Sequence, residues 1–360
     1  MIRTFRAPGR VNLIGEHTDY NQGLVLPMAL SQATFVESAP NPAESLYVYS
    51  EHYKESREWP LGAISQLEPA RDWGDYVAGV ARELVRGGYR IEPRRLFIRS
   101  TLPEGAGLSS SAALEISCAL ALVADQPVAP LDLAKLGQRA EVEFVGLPCG
   151  IMDQYVSVFG REGAALLIDC LNLERQYVAL PSGVSILAVN SMVKHALAQS
   201  AYRKRTEECA EAARCLGVGS LREVSQSTFE TAADAIPETA RNRARHVIDE
   251  NERVRRFSVS KDPVELGRLL IESHRSLRYL YEVSCAELDF LVDTALEIDG
   301  VHGARVTGGG FGGCTINLVR EGCEARFTET VQSAYIRRFG ISPAVYHCVA
   351  AAGAGEITSA

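Results

Sequence analysis

Apolar positions along the chain change period several times, and the changes outline the fold. In residues 1–60 short β-rich runs (Leu24, Val25 and Leu26 before Pro27; Leu46, Tyr47, Val48 and Tyr49) are flanked by Gly, Pro and Asn, which reads as strands and turns. Residues 74–87 switch to helical spacing, with Tyr76, Val77, Val80, Ala81, Leu84 and Val85 on one side. Leu96, Phe97 and Ile98 form a strand candidate that leads into a turn-rich segment at 102–107. Three serines at 109–111 suit a helix N-cap, and the Ala, Leu, Glu and Ile behind them predict a helix over 109–124. A second helix is expected over 131–145. Residues 166–168 and 184–189 read as buried strands.

From about 200 to 300 the pattern is mostly helical. Residues 202–216 are rich in Arg, Glu and Ala, and 264–277 and 284–298 repeat apolar residues at helical spacing. Strand and turn features return at 304–319 and 345–351. Mixed αβ, then helical, then αβ predicts an α+β fold of two lobes. The 360 residues allow about two domains. The boundary is placed at 175, giving lobes over 1–175 and 176–360, although nothing like a linker stands out there.

Composition narrows the function classes. Apolar residues make up 46% and charged residues 23%, an ordinary globular balance. A net charge of -8 argues against a nucleic-acid partner, which needs a basic excess. Nine scattered cysteines with no CxxC pair fit reduced thiols in a cytosolic protein. Residues 1–6 lack a signal-peptide core, and no apolar run approaches the roughly 20 residues of a membrane helix. A soluble, cytoplasmic protein without a membrane partner is therefore expected.

Three segments carry candidate chemistry. Gly105, Ala106, Gly107, Leu108, Ser109, Ser110 and Ser111 place a glycine turn before a helix start, an arrangement that suits phosphate. It is neither a Walker A loop nor a Rossmann fingerprint, and an ordinary capped helix is the plain alternative. Gly308, Gly309, Gly310, Gly312 and Gly313 cost backbone entropy. They fit close approach to a ligand or another loop, or a tight hairpin between Val306 and Thr315. Finally, Glu16, His17 and Asp19 lie not far from Arg10, and carboxylates and imidazole are good partners for sugar hydroxyls. A solvated turn is the alternative there, and one His is unconvincing for zinc.

Together the segments resemble a kinase superfamily containing galactokinase, homoserine kinase, mevalonate kinase and phosphomevalonate kinase. Residues 103–113 and 307–314 match its two loops. Residues 9–20, Gly-Arg-Val-Asn-Leu-Ile-Gly-Glu-His-Thr-Asp-Tyr, resemble the galactokinase signature in particular, as do residues 149–154, 272–277 and 281–285. The resemblance implies a mixed-sheet N-terminal lobe and an α/β C-terminal lobe, with the active site between them. It implies transfer of the ATP γ-phosphoryl to the anomeric hydroxyl of galactose, opening galactose use by the Leloir pathway. Asp153 would be the catalytic base and Arg10 would stabilise the phosphoryl. Glu16, His17, Thr18, Asp19, Gly150 and Tyr202 would contact the sugar. The loop at 105–111 would cradle the triphosphate, Trp73 and Tyr76 would pack the adenine, and Ser111 and Glu141 would hold Mg²⁺. A monomer or weak dimer is the expected assembly. A kinase for N-acetylgalactosamine and a sugar-sensing regulator are the competing readings. The galactose-type run at 17–21 argues against the first, and the intact serines at 109–111 against the second.

Overall fold

A computed structural model describes residues 2–103, 106–123, 126–194 and 198–357. In chain order its first half contains β1 (Arg3–Asn12), β2 (Leu24–Val25), β3 (Pro27–Pro40), β4 (Ser45–Ser50), β5 (Glu55–Pro60), α1 (Gly74–Arg86), β6 (Arg94–Ser100), α2 (Ser110–Val123), α3 (Pro130–Arg139), α4 (Met152–Phe159), β7 (Ala164–Asp169) and β8 (Glu174–Ala179). The second half contains β9 (Val184–Lys194), α5 (Ala198–Leu216), α6 (Gln226–Ala232), α7 (Glu238–Val259), α8 (Pro263–Ser276), α9 (Ala286–Leu296), β10 (Val301–Thr307), β11 (Gly312–Arg320), α10 (Glu324–Phe339), β12 (Ala344–Cys348) and β13 (Gly355–Ile357). The fold is α+β with two lobes.

The first lobe is built on a six-stranded sheet in the order β13-β1-β3-β6-β4-β5. Its pairs are antiparallel except β4 with β6. Helices α1 and α2 cover one face, where Val77, Leu84, Ile116 and Leu122 pack against Phe5, Val36 and Leu96. Helix α2 is apolar on nearly every side because it is buried almost throughout. The helix expected over 131–145 ends at Arg139. Residues Ala140–Val145 continue as a π-turn that closes on Gly146 in the left-handed region. Such turns are rare and gather at functional sites, and this one carries Glu141.

The second lobe has a four-stranded antiparallel sheet, β10-β11-β9-β12, packed by α9 and α10 through Leu187, Val189, Leu291, Phe327 and Tyr335. Helices α5, α6 and α7 form a further cluster around Phe229, Val247 and Tyr281. A small sheet, β2-β7-β8, lies in the first half of the chain. Residue 175 falls inside β8, and β13 pairs with β1 from Thr4↔Ile357 to Arg6↔Gly355. A shared core joins Val11, Leu13 and Leu108 to Ala188, Val254 and Ile316, so the sheets of both lobes meet beneath the functional loops.

Candidate active site

The opening motif leaves β1 at Asn12 and turns back into β2, and α7 holds its backbone. Glu250 Oε1 accepts from Gly15 N (3.0 Å), Asn251 Oδ1 accepts from Leu24 N (2.7 Å), and His246 Nε2 meets the Glu16 carbonyl (3.1 Å). These α7 side chains are buried, and nothing in the sequence of 238–259 marked them, since a charged helix reads as a solvated one. Gly15 and His17 adopt positive φ of 99° and 62°, which makes the turn sharp enough to aim side chains inward.

Within that turn the polar residues divide. Glu16 is buried, and its Oε1 accepts from Arg305 Nη2 (3.1 Å), Thr307 Oγ1 (3.0 Å) and Gly308 N (2.8 Å). It therefore ties the motif to the start of the glycine loop while lining the cavity. Arg305 is completely buried and also donates to the carbonyls of Asn12 and Leu13, which balances its charge with acceptors from the other lobe. Thr18 lies outside the cavity lining: its hydroxyl donates to the carbonyls of Gly15 (2.9 Å) and Leu24 (2.7 Å), bracing the turn. His17 and Asp19 line the cavity. Burial, aided by His246 and Arg205, pushes His17 down to about 3, so the ring is neutral. Burial and the Asp153 carboxylate push Asp19 up to about 7. Gly150 presses on Asp19: a β-carbon there would sit 1.9 Å from Oδ2, so only glycine leaves the carboxylate room. Tyr202, on α5, lines the same space, with its ring centroid 5.4 Å from His17 and 5.3 Å from Tyr20.

Arg10 and Asp153 meet at the centre. Arg10 leaves β1 at the register shift after Pro8, and Asp153 stands in the first turn of α4. Arg10 Nε and Nη2 donate to Asp153 Oδ1 and Oδ2 at 2.8 and 2.7 Å, a bidentate pair, and Nη1 donates to the Gly107 carbonyl at 2.6 Å. Burial alone would lower Arg10, but the carboxylates of Asp153, Glu16 and Asp19 raise it, so the guanidinium stays charged. The Ser109 hydroxyl also donates to Asp153 Oδ2. Sequence reasoning placed Ser109 in a phosphate-binding or helix-capping turn; the structure adds Asp153 as its partner.

Two cavities share this pair. One, of about 280 Å³, is lined by Arg10, Glu16, His17, Asp19, Gly150, Asp153 and Tyr202. Cys149 and Phe311, which belong to the matched segments but were given no role there, line it as well. The other, of about 270 Å³, is lined by Arg10, Gly107, Ser109, Ser110, Ser111, Asp153, Thr307 and the glycine loop. The glycine-rich run is both things expected of it. It is the turn of the β10–β11 hairpin, pairing Val306 with Thr315, and it abuts the loop before α2, where Cys314 Sγ donates to the Ala106 carbonyl at 2.9 Å. Ala106 and Leu108 are buried core residues, so only their backbone can face a ligand. Gly105 lies outside the described residues. The second cavity has the start of α2 on one side and glycine backbone on the other, a setting for phosphate oxygens.

Ser111 and Glu141 approach one another, since the Ser111 hydroxyl hydrogen-bonds the Glu141 carboxylate. Glu141 also accepts from Gln154 Nε2 (2.7 Å), whose amide bridges to the fully buried Glu115 (2.9 Å). Burial and the nearby Asp153 push Glu141 up to about 7. A second carboxylate, Glu115, was not foreseen, because it sits inside an otherwise apolar helix. Among the described residues no group of three His, Cys, Asp or Glu is arranged to hold a metal. A hydroxyl lining the second cavity and a carboxylate lining the first, in contact with each other, nevertheless fit Mg²⁺, which takes few protein ligands and keeps phosphate and water oxygens. Trp73 and Tyr76 line neither cavity. Trp73 belongs to the core under α1, with its outer face stacked on Tyr53 at 5.7 Å. Burial followed by the Glu141 and Glu115 charges pushes Tyr76 up.

Residues 3–40 match the galactokinase galactose-binding signature, residues 75–161 the N-terminal domain of GHMP kinases, and residues 254–336 their C-terminal domain. A galactokinase of Thermotoga petrophila is 43% identical over 342 residues, covering 93% of this chain and 95% of that one. A Thermotoga neapolitana galactokinase is 42% identical over 358 residues, covering 98% and 99%. The crystal structure of Lactococcus lactis galactokinase complexed with galactose superposes with a TM-score of 0.95 at 34% identity, covering 99% of this chain and 95% of that one. A mevalonate kinase shares the fold at a TM-score of 0.71 and 19% identity. With relatives this similar over nearly the whole chain, and with the signature residues gathered around one Arg10–Asp153 pair, the chain belongs to the galactokinase family.

Proposed function

We propose that this chain transfers the γ-phosphoryl of ATP to the anomeric hydroxyl of D-galactose, giving galactose 1-phosphate. The observation that carries this reading is the junction of two cavities at Arg10 and Asp153. One is lined by hydroxyl-binding side chains and the other by a helix start and glycine backbone. Phosphoryl transfer needs its two reactants held in line with their charge neutralised, more than it needs covalent chemistry.

In this reading galactose enters the first cavity, where Asp19, His17, Glu16 and Tyr202 meet its hydroxyls. Gly150 contributes by leaving Asp19 in place. Asp153 orients the anomeric hydroxyl and accepts its proton. Arg10 holds Asp153 through both carboxylate oxygens and offers its charge to the migrating phosphoryl. Ser109, Ser110 and the loop backbone meet the phosphates, and Thr18 acts as a brace. Trp73 and Tyr76 flank the adenine from the start of α1. Ser111 and Glu141 would hold Mg²⁺, which supplies charge neutralisation across the phosphates when bound. Catalysis by a monomer or weak dimer in the cytoplasm, without nucleic acid or membrane, completes the reading. Among the described residues no helix is long and apolar enough to cross a membrane.

A coupled ADP-release assay across a panel of sugars, with galactose and N-acetylgalactosamine among them, tests it. Galactose-dependent ADP release with a matching yield of galactose 1-phosphate is the expected result. ADP release that ignores galactose would sink the kinase reading, and preference for the N-acetylated sugar would replace its substrate.

A further inference from the structure

The partners of His17, a side chain of the sugar cavity, leave it a choice of proton position. Its ring is buried and neutral, and Nδ1 lies 3.0 Å from the Tyr20 hydroxyl. Tyr20 Oη lies 2.7 Å from Tyr281 Oη, which in turn lies 3.0 Å from Cys209 Sγ. Tyr281 and Cys209 are buried, at 0% and 2% exposure, so water does not complete this chain. The neighbouring His246 packs its ring on Tyr281 at 4.4 Å, but its nitrogens engage Ser276 and the Glu16 carbonyl and stay out of the relay. His17 lines the cavity, and its Nε2 is buried with no hydrogen-bond partner.

A relay of this kind has two directions. Running outward, His17 Nδ1–H donates to Tyr20, Tyr20 to Tyr281, and Tyr281 to the sulfur of Cys209. Running inward, the thiol donates to Tyr281, Tyr281 to Tyr20, and Tyr20 to an unprotonated Nδ1. The two differ at their ends. The outward chain makes a phenol oxygen the acceptor of an imidazole N–H and finishes on sulfur, a weak acceptor. The inward chain ends with a phenol O–H on the basic imidazole nitrogen, the best donor on the best acceptor in the set.

We infer that Tyr20, Tyr281 and Cys209 form an inward-running relay that fixes His17 as the Nε2–H tautomer, so that it can donate to a sugar hydroxyl and cannot accept from one. Tyr281 and Cys209 are thus positioning residues for the sugar, although neither lines the cavity. The inference deepens the galactose reading and rests on it only for its consequence in binding. The tautomer itself is a property of the ligand-free protein.

Two-bond proton–nitrogen correlation spectra of the full-length, nitrogen-15-labelled protein at neutral pH read the tautomer directly, and His17→Gln assigns the ring signals. The expected result is an unprotonated, hydrogen-bonded Nδ1 and a protonated Nε2. In Tyr20→Phe and Tyr281→Phe, which keep the rings, both nitrogens move toward the average of two exchanging tautomers. A protonated Nδ1 in the wild-type chain overturns the inference, as does a Tyr20→Phe spectrum identical to wild type. In the ADP assay Tyr281→Phe raises the galactose KM by about 3- to 10-fold, the worth of one ordinary hydrogen bond, with kcat nearly unchanged. If the spectra behave as expected while KM stays fixed, the tautomer stands and the placement of galactose against His17 is what fails.

Discussion

Replacing Gly150 by alanine perturbs the sugar cavity through Asp19 while removing no side chain that would bind or react. The added β-carbon would lie 1.9 Å from Asp19 Oδ2, 2.3 Å from Cγ and 2.8 Å from Cβ. Gly150 is not in the left-handed region, so its own backbone tolerates alanine and the effect falls on Asp19. Because the clash reaches the Cβ of Asp19, rotating the carboxylate does not clear it; the side chain must leave the cavity or the turn must move. Overpacking of this kind costs about 1–3 kcal/mol of stability. Withdrawing a charged acceptor from a sugar hydroxyl costs about 1.5–3 kcal/mol of binding. At 1.4 kcal/mol per factor of ten, the galactose KM rises roughly 10- to 100-fold. The KM for ATP and the far-ultraviolet circular dichroism stay close to wild type. Steady-state kinetics should be run on Gly150→Ala, Asp19→Ala and the double variant. In the double variant the contacts with the carboxylate are gone and only the 2.8 Å contact with the β-carbon remains, so adding Gly150→Ala to Asp19→Ala changes the galactose KM much less than it does in the wild-type chain. Additive losses, or a wild-type galactose KM in Gly150→Ala, would refute the reasoning.

Other outcomes follow from the same geometry. Asp153→Asn lowers kcat by roughly 100-fold or more, yet calorimetry still detects galactose; near-normal turnover would remove Asp153 from the chemistry. Asp19, pushed up to about 7, is protonated below that pH and ionised above it. The galactose KM therefore climbs as pH falls through about 7, and a profile equally steep in Asp19→Asn would assign the titration elsewhere. Burial works against the Glu250 carboxylate, but Arg253, His246 and Arg305 outweigh it and hold its value near 2, below the ordinary 4.5. Its contribution to stability is thus present above 4.5 and is lost as pH falls toward 2. Glu250→Gln leaves Arg253 unpaired and lowers the unfolding free energy by about 3–5 kcal/mol in urea titrations; an unchanged midpoint would contradict its role.

What the sequence disclosed depended on how local each feature was. Helix α2 announces itself because the N-cap serines and the apolar run are neighbours, and the hairpin around the glycine loop shows for the same reason. The residues of the opening motif were legible only by resemblance, since Glu16, Thr18 and Asp19 look alike in a polar turn. Their different roles come from partners more than 200 residues away for Glu16 and from a nearby carbonyl for Thr18. Glu115 could not be read at all, because a glutamate in an apolar helix gives no sign that Gln154 meets it. The π-turn at Ala140–Val145 was likewise hidden, its residues being as helical in propensity as those before it. The α7 side chains beneath the sugar turn share that fate: His246, Glu250 and Asn251 acquire meaning only when β1 and β2 pack on them.

The pairing of β13 with β1 places one edge of the first sheet under the control of residues made some 350 positions later. During synthesis at about 5–20 residues per second, β1 waits roughly 20–70 s for that neighbour. Until then its outer edge is open, with unpaired amides facing solvent in the very strand that carries Arg10. An interval of this length is where a nascent chain is exposed to edge-to-edge association. The kinase would then need protection early, long before it could bind either substrate.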